Sequence, residues 1–171
     1  MFDIDLISFS VAVILIAAFA LPFYLNARKV KLRERKALKI LADFTSTHGL
    51  DLQEKDQWRD KYFIGLDKEK AQVVYSADTS QDHYKCIRLD QIKRVSVAEV
   101  SHQVTNGKES HKELDRLELI LINQNDKPIH VLEFYDGDQY SDLVGEGVLI
   151  KKWETLLKDS IKNVPKHQLV S

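Results

Sequence analysis

The pattern of apolar and polar residues divides the chain into three regions. Residues 6–25 contain no charged side chain, and residues 30–48 place apolar residues at helical spacing. From residue 61 onward, short apolar runs alternate with polar turns until a second helical pattern at 143–162. As a helix rising about 1.5 Å per residue, the first region spans roughly 30 Å, the thickness of a bilayer's hydrocarbon core. The pattern predicts a transmembrane segment followed by a strand-rich domain that ends in a helix.

The charges beside the first region predict its orientation. Only Asp3 and Asp5 precede it, whereas seven cations and one glutamate follow between positions 28 and 39. Because cationic flanks stay in the cytoplasm, we expect residues 1–27 to be a single-pass anchor of the inner (plasma) membrane, N-terminus outside and C-terminal domain cytoplasmic. The membrane-facing basic flank consists of Arg28, Lys29, Lys31, Arg33, Arg35, Lys36 and Lys39.

A cleaved signal peptide is the alternative to an anchor, since Ala18-Phe19-Ala20 resembles a small-residue cleavage site. A signal peptide begins with a basic segment, which this chain lacks. The basic flank would also resist translocation. The lone cysteine, Cys86, cannot form a disulfide within the chain, which suits a reducing compartment. The pattern therefore favours an uncleaved anchor.

Residues 28–49 are predicted to form a basic, amphipathic juxtamembrane helix. Gly49 follows it as a stop signal, and its apolar positions are Val30, Ala37, Leu41 and Phe44. The helix either continues the anchor directly or follows a bend near Pro22-Asn26. Its apolar stripe either packs on the following domain or forms a homodimeric coiled coil through residues 30–48.

The remainder of the chain predicts an α+β domain. Residues 50–60 are polar and are interpreted as a linker, 61–162 as the cytoplasmic domain and 163–171 as a flexible tail. Strands are predicted at 62–67, 71–75, 84–89, 92–104, 117–122 and 129–135, with a polar loop at 105–115 and a helix at 143–162. Strands followed by one amphipathic helix predict an antiparallel barrel or sandwich with a C-terminal capping helix.

The core face of this last helix carries Leu149, Trp153 and Leu157. Trp153 followed one turn later by an aliphatic residue resembles the C-terminal helix of pleckstrin-homology-like domains. The segment Asp90-Gln91-Ile92-Lys93-Arg94-Val95 resembles the acid-x-Ile-x-x-Val stretch of bacterial members. The resemblance covers residues 61–162 and implies two antiparallel sheets in a partly open barrel, capped by the helix.

One part of the chain departs from the family's phosphoinositide-binding members. Those members carry a basic cluster in the loop between their first two strands. The corresponding predicted loop here, Asp67-Lys68-Glu69-Lys70, has mixed charge. The resemblance therefore does not imply binding of a lipid headgroup at this loop.

The charge distribution argues against a nucleic-acid partner. Residues 50–171 contain 18 Lys/Arg and 22 Asp/Glu, so the domain lacks the basic surface that nucleic acid requires. The chain contains no phosphate-binding glycine loop, nucleophile elbow or paired metal-ligand motif. No catalytic residue, metal site or cofactor is predicted.

Two groups of polar residues are the remaining candidates for chemistry. His102 and His130 lie on predicted strands and could approach each other across a sheet, although no third metal ligand is evident. The carboxylates of Glu133, Asp136, Asp138, Asp142 and Glu146 are interpreted as a solvated loop and helix start, because acidic side chains stabilise a helix N-terminus.

These observations favour a membrane-anchored, non-catalytic interaction module that serves as an adaptor or accessory subunit for a protein partner. Its domain could instead sense a lipid or small ligand at the inner membrane surface. An enzyme of unrecognised type is the third hypothesis, for which His102, His130 and Asp136 would be the residues to mutate.

Overall fold

A computed structural model describes residues 6–106 and 109–163, with all of their side chains except those at 6–8, 11–13, 104–106, 109 and 111. Asp3, Asp5 and the predicted tail beyond residue 163 lie outside the described residues.

The first element is one helix, α1, at Leu6–His48. It runs through Pro22 without a break, so the anchor region and the juxtamembrane region form one continuous helix rather than two. The helix ends at Gly49, whose φ of 61° is accessible without strain to a residue lacking Cβ. The N–H groups of Gly49 and Leu50 donate to the carbonyls of Ser46 and Thr45, which is the Schellman arrangement at a helix C-terminus.

Among the residues that the structure describes, no helix has a stretch that is long and apolar enough to cross a membrane. The transmembrane anchor predicted at residues 1–27 is not supported by this finding and stays a prediction.

Two antiparallel sheets follow α1. The first has the order β1-β2-β3-β4, and the second has the order β5-β6-β7. A short 3₁₀ turn at Leu89–Gln91 joins the sheets, and helix α2 ends the described chain at Glu146–Asn163. The strands are β1 Glu54–Trp58, β2 Tyr62–Asp67, β3 Gln72–Ser76, β4 Lys85–Arg88, β5 Ile92–Asn106, β6 Glu109–Asn123 and β7 Pro128–Asp136. The prediction of an α+β fold with antiparallel sheets and a C-terminal helix is confirmed.

Two strand boundaries differ from the sequence-based prediction. Strand β1 occupies the centre of the predicted linker, because its polar residues pair along the edge of β2 with Glu54 opposite Leu66. Strand β6 begins at Glu109 inside the predicted loop, because β5 and β6 continue their pairing as a two-stranded ribbon beyond β7. Both segments lack the apolar alternation of a half-buried strand, since little of their surface faces the core.

The core lies between the two sheets and α2. Ile150, Trp153 and Leu157 are buried, and Leu149 packs against the same cluster while partly exposed. The Trp153 indole Nε1 donates a 2.8 Å hydrogen bond to Asp56 on β1, whose carboxylate also binds Lys152. This pair of contacts joins α2 to the edge strand that the sequence pattern did not identify.

We expect Trp153→Ala to lower the free energy of unfolding by about 3–5 kcal/mol, because it empties a fully buried site and leaves Asp56 without its indole donor. Urea denaturation followed by circular dichroism measures this loss. The control is Val148→Ala on the same helix, which is 78% exposed and should change stability little. Equal effects of both substitutions would contradict the assigned packing of α2.

Candidate interaction surface

The last turns of α1 pack on the outer face of the first sheet. Leu41 and Phe44 contact an apolar cluster formed by Leu50, Phe63 and Val74. The Phe44 ring lies 5.4 Å from that of Tyr84, measured between centroids. Part of the predicted apolar stripe is therefore covered by the chain's own domain. Pairing of residues 30–48 with a second copy stays a prediction.

A polar junction holds the chain just after α1. Asp67, only 1% exposed, accepts hydrogen bonds from the backbone N–H groups of Asp51 and Lys70 at 2.9 and 2.8 Å. The Lys70 ammonium donates to the Gly49 carbonyl at 2.6 Å. Because these bonds fix the backbone on both sides of the connection, the end of α1 is tied to the β2–β3 turn.

Further toward its N-terminus, α1 is separated from the domain by a cleft of about 600 Å³. Arg33, Glu34 and Lys36 provide charge on the α1 side, between the apolar Val30 and Ala37. The domain side is polar and acidic, and comprises Gln57, Asp60, Asp78, Thr79, Ser80 and Gln81. Hydrogen bonds from Ser80 lower the pKa of Asp78, so this wall is negatively charged at neutral pH.

The part of α1 that extends past the domain exposes apolar side chains. Phe19 is 73% exposed, and the other large apolar residues described between positions 9 and 25 are also exposed. The predicted basic flank follows at once, and all seven of its cations are exposed. Exposed apolar surface of this kind is typical of sites that contact lipid or protein.

An ion pair fastens the β1–β2 turn to the start of α2. Arg59 and Asp60 both adopt left-handed conformations with φ near 50°, as a tight hairpin turn requires. Arg59 donates to the buried carboxylate of Glu146 and to the Asp142 carbonyl, and its guanidinium lies 4.5 Å from the Tyr140 ring centroid. The hydrogen bond to Glu146 is the main reason that the pKa of Arg59 is raised.

The five carboxylates between Glu133 and Glu146 thus differ in burial and in their partners. Glu146 is 2% exposed and ion-paired, and Glu133 accepts a 2.6 Å hydrogen bond from the Tyr62 hydroxyl. Tyr75 donates to the Glu133 carbonyl at 2.8 Å, so two tyrosines of the first sheet bind β7 of the second. Burial raises the pKa of both tyrosines, which keeps them protonated as donors. In the sequence, Tyr62 and Tyr75 stand among apolar residues, so nothing there indicated that their hydroxyl groups bind β7.

His102 and His130, which the sequence left free to approach each other across a sheet, are far apart. His102 on β5 faces Glu113 of β6, whereas His130 on β7 faces Leu121, which lies opposite Val95. Seven strand residues separate Val95 from His102, about 23 Å at the usual strand rise. Within the described chain, no group of three or more His, Cys, Asp or Glu residues is arranged to hold a metal ion.

The remaining polar candidates have local partners. His102 Nδ1 lies 2.5 Å from an Asp115 carboxylate oxygen. Asp136 accepts hydrogen bonds from Gln139 and from the Asp138 backbone. Burial, with a smaller effect from Asp67, raises the pKa of Cys86, which disfavours the reactive thiolate.

No family model, curated protein or solved structure matches this chain. The resemblance to pleckstrin-homology-like domains therefore stays a prediction.

We expect His130 to reduce stability at acidic pH. Burial, and secondarily the charge of Lys85, lowers its pKa in the folded state below the ordinary 6.5. As the pH falls through 6.5 the unfolded chain takes up this proton first, so the free energy of unfolding decreases. His130→Gln should flatten the decrease between pH 7 and 5 in urea titrations. His83→Gln, at an exposed loop position, is the control, and an equal change of slope in this variant would show that the effect is not specific to His130.

We expect Glu146→Gln to lower the melting temperature by several degrees, because Arg59 then loses the carboxylate that neutralises it beside α2. Asp142→Asn provides the control, since this carboxylate is 68% exposed and lies 3.8 Å from Arg59. Thermal melts of the full-length protein measure both. A shift from Asp142→Asn as large as that from Glu146→Gln would refute the dominant role of the buried carboxylate.

Proposed function

We propose that this protein is a membrane-anchored, non-catalytic interaction module whose domain, held at the inner surface of the membrane, serves as an adaptor or accessory subunit for a protein partner. The observation that carries the proposal is the composition of α1's surface. An exposed apolar stretch is followed directly by seven exposed cations, and the far end of the same helix is fixed to a folded domain.

The proposed span comprises residues 6–25 as a whole. It includes side chains at 6–8 and 11–13 that lie outside the described set, and all of its residues are uncharged. A helix exposing this surface in water would be costly, whereas lipid provides an apolar surrounding for it. The basic flank supports a cytoplasmic position for the domain.

The fold supports a role in binding. Four plus three antiparallel strands and a C-terminal helix agree with the arrangement that the pleckstrin-homology-like resemblance implies. Proteins of such a fold have diverse functions, so the site must carry the argument. Two of the residues singled out for chemistry, His102 and Asp136, have local structural partners, which supports a structural role for them.

The cleft between α1 and the domain favours a second candidate function, the sensing of a small polar ligand. Its walls carry opposite charges, with Arg33 and Lys36 facing Asp60 and Asp78. A thermal shift of the full-length protein with a metabolite panel, lost in Arg33→Ala, would support this alternative.

We expect the full-length protein to remain in the pellet after alkaline carbonate extraction of membranes. A double substitution, Ile16→Lys with Phe19→Lys, should release it, because a charged side chain at the centre of a span costs about 2.5–3.5 kcal/mol. The matched control is Leu38→Lys, which alters an exposed apolar residue of α1 beyond the proposed span. Wild-type protein in the supernatant would refute the anchor.

The partner is tested by crosslinking in intact membranes, purification in mild detergent and mass spectrometry. The proposal expects a stoichiometric protein partner. Recovery of the protein alone, or only as its own dimer, would count against an adaptor role and favour the ligand-sensing alternative.

A further inference from the structure

The path of α1 determines which end of the domain lies toward its N-terminal half. Gly49, after the helix, contacts Lys70 beside the β2–β3 turn. Moving back along α1, Phe44 reaches Phe63 and Tyr84, and the segment 30–37 reaches Asp60 in the β1–β2 turn and Asp78 in the β3–β4 loop. Since the β2–β3 and β1–β2 turns lie at opposite ends of β2, the rest of α1 extends beyond the β1–β2 end of the domain.

The helical rise places this end near the headgroups, if residues 6–25 span the bilayer as proposed above. Val30, the first residue lining the cleft, comes five residues after Leu25, or about 7.5 Å along the helix. The headgroup layer on each side of the hydrocarbon core is about 5–8 Å thick. The β1–β2 end of the domain is then level with the outer boundary of that layer.

The same end carries the most exposed aliphatic side chains of the described domain. Val148 is 78% exposed and Val144 69%, with Leu143 beside them at 47%. Val148 lies in the first turn of α2, and Leu143 and Val144 lie in the loop just before it. Arg59 holds this loop and the helix start against the β1–β2 turn, because it binds both the Asp142 carbonyl and the buried Glu146 carboxylate.

Charges of both signs surround these aliphatic residues. Arg59 is neutralised by Glu146, while Asp60, Asp138 and Asp142 are exposed nearby in sequence and structure. Lys61 is the cation on the same turn, and its ammonium binds Gln139. Arg33 and Lys36 of α1 line the same cleft as Asp60. This end therefore carries charges of both signs, and its contact with lipid depends on the aliphatic side chains rather than on a net charge.

We propose that Leu143, Val144 and Val148 form a second membrane contact, inserting into the interfacial region of the bilayer and orienting the domain against the membrane from which α1 emerges. The proposal rests on the anchor proposed above. Two points of attachment, one through α1 and one through the start of α2, restrict rotation of the domain and leave the ends of the sheets away from the lipid available to a protein partner.

The test uses single cysteines in full-length protein with the background substitution Cys86→Ser. An environment-sensitive fluorophore is attached at Val148→Cys, at Phe19→Cys inside the proposed span, or at Glu69→Cys on the exposed β2–β3 turn at the opposite end. Each protein is reconstituted in phosphatidylcholine vesicles, with or without brominated acyl chains that quench on contact. Circular dichroism of the Cys86→Ser parent and of each labelled protein verifies that all are folded.

The proposal expects brominated lipid to quench the probes at positions 19 and 148 and not the probe at position 69. Quenching at position 19 alone would overturn the second contact and preserve the anchor. Absence of quenching at position 19 would refute the anchor and the second contact together.

Discussion

The arrangement of this protein depends on the apolar contact between the end of α1 and the first sheet. Phe44 lies between His48 and Tyr84, and with Leu41 it covers the buried Phe63 and Val74. The buried carboxylate of Asp67 holds the chain that follows, so the helix leaves the domain in one direction. Without this contact, the 43-residue helix α1 would be joined to the domain only by a short flexible connection. The surfaces of the domain would then have no defined position relative to the helix axis.

The β1–β2 turn fixes the start of α2 relative to α1. In the β1–β2 turn, Asp60 lines the cleft opposite α1, and the adjacent Arg59 binds Glu146 of α2. Two neighbouring residues of one turn therefore face the two helices. Trp153 reinforces the same side by its bond to Asp56 of β1. The short strand β1 therefore organises more of the molecule than its five mostly polar residues indicate, because Asp56 binds Trp153 of α2 and Trp58 stacks on Phe134 of β7 with the ring centroids 4.7 Å apart.

Local pattern was sufficient for the elements that bury a regular apolar face. The helix at the C-terminus, strands β2, β3 and β7 and the hairpin at Asn123–Asp126 follow from spacing and turn residues, because each contributes alternate or helical positions to the core. The pattern failed at β1 and at the outer half of the β5–β6 ribbon, where pairing continues with little apolar burial. The pattern could not decide whether His102 lies near His130, since register, which depends on bulges and strand length, sets their separation.

By itself the sequence determined the uncharged stretch, the basic flank after it, the α+β class and the core face of α2, because these are properties of composition and period along one element. Tertiary structure alone decided that α1 is continuous and packs on its own domain through Leu41 and Phe44, that Glu146 is buried against Arg59, and that Val144 and Val148 remain exposed at the end where α1 departs. Each of these facts requires residues distant in the chain to meet, and the free energy of such contacts depends on geometry that no local pattern contains.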